Sequence, residues 1–185
     1  MICCAGKNES FDFAKAVGIG LIESAITLTQ YILEEKPSFI LFVGTAGSYG
    51  TYKPLDIIVT HHGANIELGS LQNQCYSPLN SLISAQNPFV PRETNTYCPI
   101  VNSSNYITTD TFLSQKMLEK NIELENMEFF SILSVANQFS IPCSGLFAVT
   151  NYCNQNAHQD FIKNHAKAKE LIISRIQNFK NNGEL

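Results

Sequence analysis

Residues 38–50, SFILFVGTAGSYG, join an apolar run to three glycines that are separated by small hydroxyl residues. The uncharged run 39–43 is typical of a central strand covered on both faces. The glycines allow the backbone to turn and expose its N–H groups, while Thr45 and Ser48 add hydroxyl donors. We therefore predict a strand and then a loop that can hold a phosphate or a ribose hydroxyl. The spacing is neither a dinucleotide fingerprint nor a P-loop, and a tight turn without a ligand has the same pattern.

The composition excludes several classes of function. With 185 residues, 44% hydrophobic and 15% charged, the chain can bury one sizeable core, and we expect a single domain over residues 1–185. A formal charge of −4 with two arginines leaves no basic patch for nucleic acid. The six cysteines include no C-x-x-C pair, so we predict no metal site and no disulfide framework. No apolar run suits a signal peptide or a membrane span, so we expect a cytoplasmic protein without a membrane partner.

The order of the elements predicts an α/β fold. Apolar residues recur at helical spacing from Gly20 to about Glu35, between a strand at 2–6 and the strand at 39–43. A strand, a helix and a strand of these lengths imply a parallel crossover. Residues 63–92 show only weak periodicity. Further strands are predicted at 11–17, 56–61, 99–108 and 143–150, and further helices at 110–120, 129–139 and 157–178.

Four stretches in one chain order resemble the nucleoside phosphorylases and nucleosidases, which cleave the bond between a base and ribose. The stretches are Val43–Gly47 (VGTAG), Thr109–Leu113 (TDTFL), Met127–Glu128, and Ala148–Asn151 (AVTN) with Gln155 and His158 after it. The resemblance covers nearly all of the chain after Gly18. It implies a three-layer α/β/α fold with a central mixed sheet and a shortened N-terminus.

The resemblance implies substrate-binding roles for several of these residues. Phe112 stacks on the flat base, and Leu113 belongs to the same segment. His158 meets the base or the 5′ end of the substrate, although a histidine facing solvent fits the pattern equally well. The residues beside the anion and the ribose are Gly44, Thr45, Ala46 and Gly47.

The expected reaction explains the remaining residue types. Cleavage of an N-glycosidic bond leaves positive charge on ribose and negative charge on the departing base. The resemblance implies that Glu128 accepts hydrogen bonds from both ribose hydroxyls and that Met127 is an apolar floor under the sugar. Asn151 can accept the N7 proton of the base and donate to a 6-oxo group, which favours hypoxanthine or guanine over adenine. The same residues also fit purely structural roles. Glu128 can be an acid at the start of a helix, Met127 a core methionine, and Asn151 a buried amide at the end of a strand.

Two departures from the family pattern concern the acceptor of the sugar. Phe42 stands where phosphorylases of this superfamily often have an arginine, so a phosphate loses its countercharge. Arg92 of a neighbouring subunit is one conceivable replacement. Glu9 is instead a candidate base that activates water in a hydrolase-like site, although Lys7 and Asn8 differ from the acidic run of the nucleosidases.

We predict a homo-oligomeric enzyme of the purine nucleoside phosphorylase type, either a dimer or a trimer of dimers, acting on 6-oxopurine nucleosides in purine salvage. Its partner is a small nucleoside, and no cofactor is expected apart from phosphate as a possible co-substrate. The first alternative is a hydrolase that uses water on a futalosine-type or methylthioadenosine-type nucleoside. The second is a nucleoside-binding relative without catalysis.

Overall fold

Short strands alternate with helices around one long pair of strands. The computed structural model describes residues 1–88, 97–183 and 185. The elements in chain order are β1 (Ile2–Cys4), β2 (Lys15–Ala16), α1 (Gly20–Glu35), β3 (Ile40–Ser48), β4 (Ile57–Thr60), β5 (His62–Ala64), α2 (Leu68–Leu71), β6 (Leu82–Ser84), β7 (Ile100–Asn102), α3 (Thr111–Leu118), β8 (Leu124–Glu125), α4 (Phe129–Gln138), β9 (Cys143–Tyr152) and α5 (Ala157–Asn181).

The sheet is mixed, and β3 is its central strand. β1 pairs parallel with β3, so the crossover through α1 is confirmed. β9 pairs parallel with β3 along its whole length, from Ile40 opposite Cys143 to Ser48 opposite Tyr152. The last two residues of β3 also pair antiparallel with β8. The ends of β3, β8 and β9 therefore meet at one edge of the fold.

Alternate residues of β3 face two helical layers. Ile40 and Phe42 pack with residues of α1 and α4 in one buried cluster. Leu41 and Val43 pack with residues of α5 in another. Because successive side chains of a strand point to opposite faces, an uncharged strand is what burial between two layers requires. The three-layer α/β/α architecture is confirmed.

The predicted loop after the central strand is wrong. β3 continues through the glycine segment to Ser48, since β8 and β9 pair with its backbone there, and the irregularity is a register shift between Ala46 and Gly47. Tertiary pairing thus overrides the local signal of the glycines. The strands predicted at 11–17 and 99–108 are much shorter in the structure, at Lys15–Ala16 and Ile100–Asn102. None of the helices described is both long enough and apolar enough to cross a membrane.

Candidate active site

A cavity of about 440 Å³ opens at the shared edge where β3, β8 and β9 end. This volume lies within the usual range of small-molecule sites, about 300–1,000 Å³. The lining combines the turn after β1, the end of β3, the loop before α3, the link from β8 to α4 and the start of α5. The predicted site residues that line it are Glu9, Thr45, Ala46, Gly47, Met127, Glu128, Asn151 and His158. Eight residues proposed from separate stretches are therefore brought together.

Glu9 is held by the glycine segment of β3. The backbone N–H of Thr45 donates to Glu9 Oε2 at 3.2 Å, and the Thr45 hydroxyl donates to Glu9 Oε1. A Cβ atom at Gly44 would lie 3.0 Å from Glu9 Oε2, so a larger residue there would crowd the carboxyl group. Burial raises the pKa of Glu9, and the two hydrogen bonds from Thr45 oppose that rise.

Glu128 is positioned by the beginnings of two helices. The side-chain oxygen of Asn126 accepts hydrogen bonds from the N–H groups of Glu128 and Phe129 at 2.9 and 3.0 Å, which caps the start of α4. The Asn126 amide also donates to the Thr45 carbonyl at 3.1 Å and so ties this turn to β3. The first N–H of α1, at Gly20, donates to Glu128 Oε1 at 2.9 Å.

Glycine is required at the α1 contact. Gly20 has a φ of 80°, and a Cβ atom there would lie 2.7 Å from the side-chain oxygen of Asn105. The left-handed conformation is strained for any other residue. A Cβ atom would also displace the Asn105 oxygen, which accepts a hydrogen bond from the Leu21 N–H at 3.0 Å. Gly20, which marks the start of this helix in the sequence, therefore also supplies the N–H group that orients Glu128.

The charge of Glu9 influences the ionisation of Glu128. Glu128 is 3% exposed, and burial is the main reason that its pKa is raised to about 7. The nearby charge of Glu9 raises this pKa further, while the hydrogen bond from Gly20 lowers it. A buried pair of acids, one of which titrates near neutral pH, is a typical arrangement for acid–base chemistry.

Asn151 lies at the end of β9 and is 6% exposed. Its Oδ1 accepts a hydrogen bond from the Thr150 hydroxyl at 2.8 Å, and its Nδ2 donates to the Tyr152 carbonyl at 3.1 Å. These contacts fix the plane of the amide. An amide oxygen accepts two hydrogen bonds and an amide nitrogen donates two, so one acceptor and one donor position remain for a ligand.

Sequence reasoning missed four lining residues that have clear physical roles. Asn126 caps α4, as described above, and Tyr106 and Phe161 contribute aromatic side chains. Glu125 is a third carboxyl group, and it accepts hydrogen bonds from the Tyr49 hydroxyl at 2.9 Å and the Thr108 N–H at 3.0 Å. Burial raises the pKa of Glu125. Position next to Met127–Glu128 was the available signal for Asn126 and Glu125, whereas nothing distinguished one phenylalanine among twelve.

Three predicted substrate-binding residues do not line the cavity. Gly44 lies behind Glu9, as described above. Phe112 is 62% exposed, with the Lys116 ammonium 5.5 Å from its ring centre, and Leu113 is buried in a separate cluster beside α3. The aromatic residues that line the cavity are Tyr106 and Phe161, whereas Phe112 does not line it, so the stacking role of Phe112 stays a prediction.

Two positions bear on phosphate binding: Phe42, which replaces the expected arginine, and Arg92, the conceivable substitute for it. Phe42 is fully buried, and its ring lies 6.2 Å from that of Phe129 and 5.9 Å from that of Phe147. It belongs to the core and not to the cavity. Arg92 falls outside the described residues, so its contribution to a neighbouring subunit stays a prediction, as does the oligomer.

Comparisons with known proteins identify the family of the chain. A sequence profile of the Phosphorylase superfamily matches residues 2–179, and the chain belongs to this family. No curated protein matches the chain significantly by sequence.

Similar solved structures share the fold at low sequence identity. One is a mutant of the Helicobacter pylori 5′-methylthioadenosine/S-adenosylhomocysteine nucleosidase with 5′-methylthioadenosine in its active site, at 17% identity and a TM-score of 0.76, covering 91% of this chain and 79% of that one. The futalosine hydrolase of Helicobacter pylori has 18% identity and a TM-score of 0.76, covering 91% and 78%. The S-adenosylhomocysteine nucleosidase of Streptococcus pyogenes, in complex with 5-methylthiotubericidin, has 15% identity and a TM-score of 0.74, covering 90% and 77%.

Proposed function

We propose that this member of the phosphorylase superfamily is a nucleosidase, a hydrolase that uses water to cleave the N-glycosidic bond of a purine nucleoside. One observation carries the proposal: the N–H and hydroxyl groups of Thr45 both donate to the Glu9 carboxyl group. These are the donors that the glycine segment was expected to offer to an anion. Because a carboxylate already holds them, a phosphate would have to displace Glu9.

The charge around the cavity also favours water as the acceptor. A phosphate placed near Thr45 would approach Glu9 and Glu128, and like charges close together in a buried site are costly. Among the described lining residues Lys7 is the one lysine or arginine, and it is exposed. The position of the expected arginine is filled by Phe42 in the core. The nucleosidases among the similar structures support the same choice.

The proposed mechanism assigns one task to each carboxyl group. Glu9 accepts a proton from a water molecule, and the oxygen of that water forms a bond to C1′ of the ribose as the bond from C1′ to the base breaks. Glu128 uses the oxygen that faces the cavity to hold the ribose hydroxyls, and this interaction strengthens as positive charge develops on the ring. The electron pair of the broken bond leaves with the base, whose N7 takes a proton from solvent.

The base is read by Asn151. Its free acceptor position fits N7–H of a departing 6-oxopurine, and its free donor position fits the 6-oxo oxygen. Ala157, His158 and Phe161 line the cavity at the start of α5 and offer a mainly apolar surface for a 5′ substituent. A futalosine-type nucleoside therefore fits the proposal better than a methylthioadenosine-type one.

The test measures base release from inosine, adenosine, futalosine and methylthioadenosine with and without phosphate. We expect release within about twofold in the two buffers and a free sugar as the product. Strict dependence on phosphate, with a sugar 1-phosphate as the product, would establish a phosphorylase and refute the proposal. Binding of these nucleosides without any turnover would instead establish the non-catalytic alternative.

A further inference from the structure

A cluster of side chains with metal-binding chemistry lies outside the cavity described above. His61 and His62 stand at the junction of β4 and β5, and Cys98 lies two residues before β7. One possible ligand atom from each of the three falls within 4.8 Å of the others. None of the three lines the carboxyl cavity. We propose that they bind a divalent transition-metal ion of the zinc type.

The separations suit tetrahedral coordination. Cys98 Sγ lies 3.4 Å from His61 Nδ1. With metal–sulfur and metal–nitrogen bonds of about 2.3 and 2.0–2.1 Å, sulfur and nitrogen ligands of a tetrahedral zinc ion are about 3.6 Å apart. The ring centres of His61 and His62 are 4.2 Å apart. The three ligand atoms lie within 4.8 Å of one another, and the nitrogen ligands of a tetrahedral zinc ion are about 3.3 Å apart, so the ligands have to approach by at most about 1.5 Å.

The backbone that carries these ligands is fixed by hydrogen bonds. The Thr60 hydroxyl donates to the Pro99 carbonyl at 2.5 Å and accepts from the His62 N–H at 3.1 Å. His62 also pairs with Ile100 in the ladder between β5 and β7. One threonine thus links the segment of the two histidines to the segment of the cysteine. A metal site on sheet elements fixed in this way needs little reorganisation on binding.

The donor set selects the class of metal. One thiolate with two imidazoles is preferred by zinc and similar borderline-soft ions, whereas magnesium and calcium prefer oxygen ligands. Within the described ranges no fourth histidine, cysteine or acidic residue joins the cluster. All three residues are partly exposed, so water can supply the fourth ligand. We predicted no metal site from the sequence because the six cysteines include no C-x-x-C pair, and that criterion does not detect one cysteine with two histidines from another segment.

The test uses the full chain, treated with a chelator that is then removed, and titrates it with Co²⁺ followed by Zn²⁺. We expect a thiolate-to-cobalt charge-transfer band that saturates at one cobalt per chain and disappears when zinc displaces cobalt. Cys98→Ser should abolish the band, and His62→Ala should weaken zinc binding by about tenfold or more. Cys75→Ser is the matched control, because Cys75 is the exposed free cysteine. Its titration should equal that of the wild type.

A second measurement covers the possibility that Cys98→Ser does not fold. Zinc should raise the melting temperature of the wild type and of Cys75→Ser, and this rise should be lost in His61→Ala and His62→Ala. Neither readout depends on nucleoside cleavage, so the result is independent of the proposed function. Absence of the charge-transfer band in the wild type, or equal zinc binding by the wild type and Cys98→Ser, would refute the site and leave a polar cluster without metal.

Discussion

The two ends of the cavity use different chemistry. At the carboxyl end, burial raises the pKa of both Glu9 and Glu128, and the charge of Glu9 raises the pKa of Glu128 further. At the amide end, Asn151 is neutral and fixed by Thr150 and Tyr152. The first end can change its charge during a reaction, whereas the second can only match or mismatch the groups of a ligand. The comparison suggests that rate depends on the carboxyl end and selectivity on the amide end.

The largest effect should come from removing the proposed base. Glu9→Gln keeps an oxygen that can accept from Thr45 but cannot take a proton from water, so we expect turnover to fall by about 10³-fold, within the usual range for general bases. The ratio of inosine to adenosine cleavage should not change. Steady-state kinetics on both substrates measure the two quantities. Glu123→Gln is the matched control, a buried acid outside the cavity that should retain turnover within about threefold.

The next effect concerns the ribose ligand. Glu128→Gln should lower turnover by about 10²-fold or more, on the scale of roughly 2–4 kcal/mol for a hydrogen bond that strengthens in the transition state. Circular dichroism should show an intact fold. Turnover within threefold of the wild type would show that Glu128 does not act in the site. It would also contradict the hypothesis that the rate depends on the carboxyl end of the cavity.

Base selectivity tests the amide end. A site that forms a hydrogen bond with one substrate group strongly rejects an analogue that leaves this bond unmade. The wild type should therefore prefer 6-oxopurine nucleosides to adenosine by roughly 10²-fold in kcat/KM. Asn151→Asp should shift this ratio toward adenosine by at least about tenfold, since a protonated carboxyl group can donate to N7 and accept from the 6-amino group. A wild type that prefers adenosine, or an unchanged ratio in the variant, would show that Asn151 does not read the base.

The smallest effect is on stability. The folded-state pKa of Glu128 is raised from 4.5 to about 7, so between these pH values the folded protein binds more protons than the unfolded chain. This contribution to stability is fully present below about pH 4.5 and is lost as the pH rises through about 7. Glu128→Gln removes the cost of the buried charge. The free energy of unfolding of the variant, measured in urea relative to the wild type, should therefore rise by about 2–3 kcal/mol from pH 5 to pH 8.

A neutral residue at the other end is the control for that measurement. Asn151→Ala removes the amide but no titrating group, so its effect on the free energy of unfolding should be equal at the two pH values. A gain for Glu128→Gln that is the same at pH 5 and pH 8 would contradict the raised pKa and with it the contrast between the two ends.

The local pattern of the chain specified much of the fold. Helical spacing from Gly20 to Glu35 matches α1 at both ends. All but the first residue of the uncharged run 39–43 lies within β3, and the run 143–150 lies within β9. These elements were predictable because burial between two helical layers demands continuous apolar strands, and that demand is visible in consecutive residues. Short stretches such as Met127–Glu128 and the end of β9 were likewise recognisable from residue types and order.

What the tertiary structure alone decided involves partners far apart in the chain. Glu9 meets Thr45 across 36 positions, and Gly20 meets Glu128 across 108. Whether the glycine segment is a loop or a strand depended on pairing with β8 and β9. The exposure of Phe112 was likewise decided by the tertiary structure. Sequence periodicity reports which residues are buried but not which groups they meet. The identity of the anion beside Thr45, a carboxyl group of the chain itself, could therefore emerge only from the folded structure.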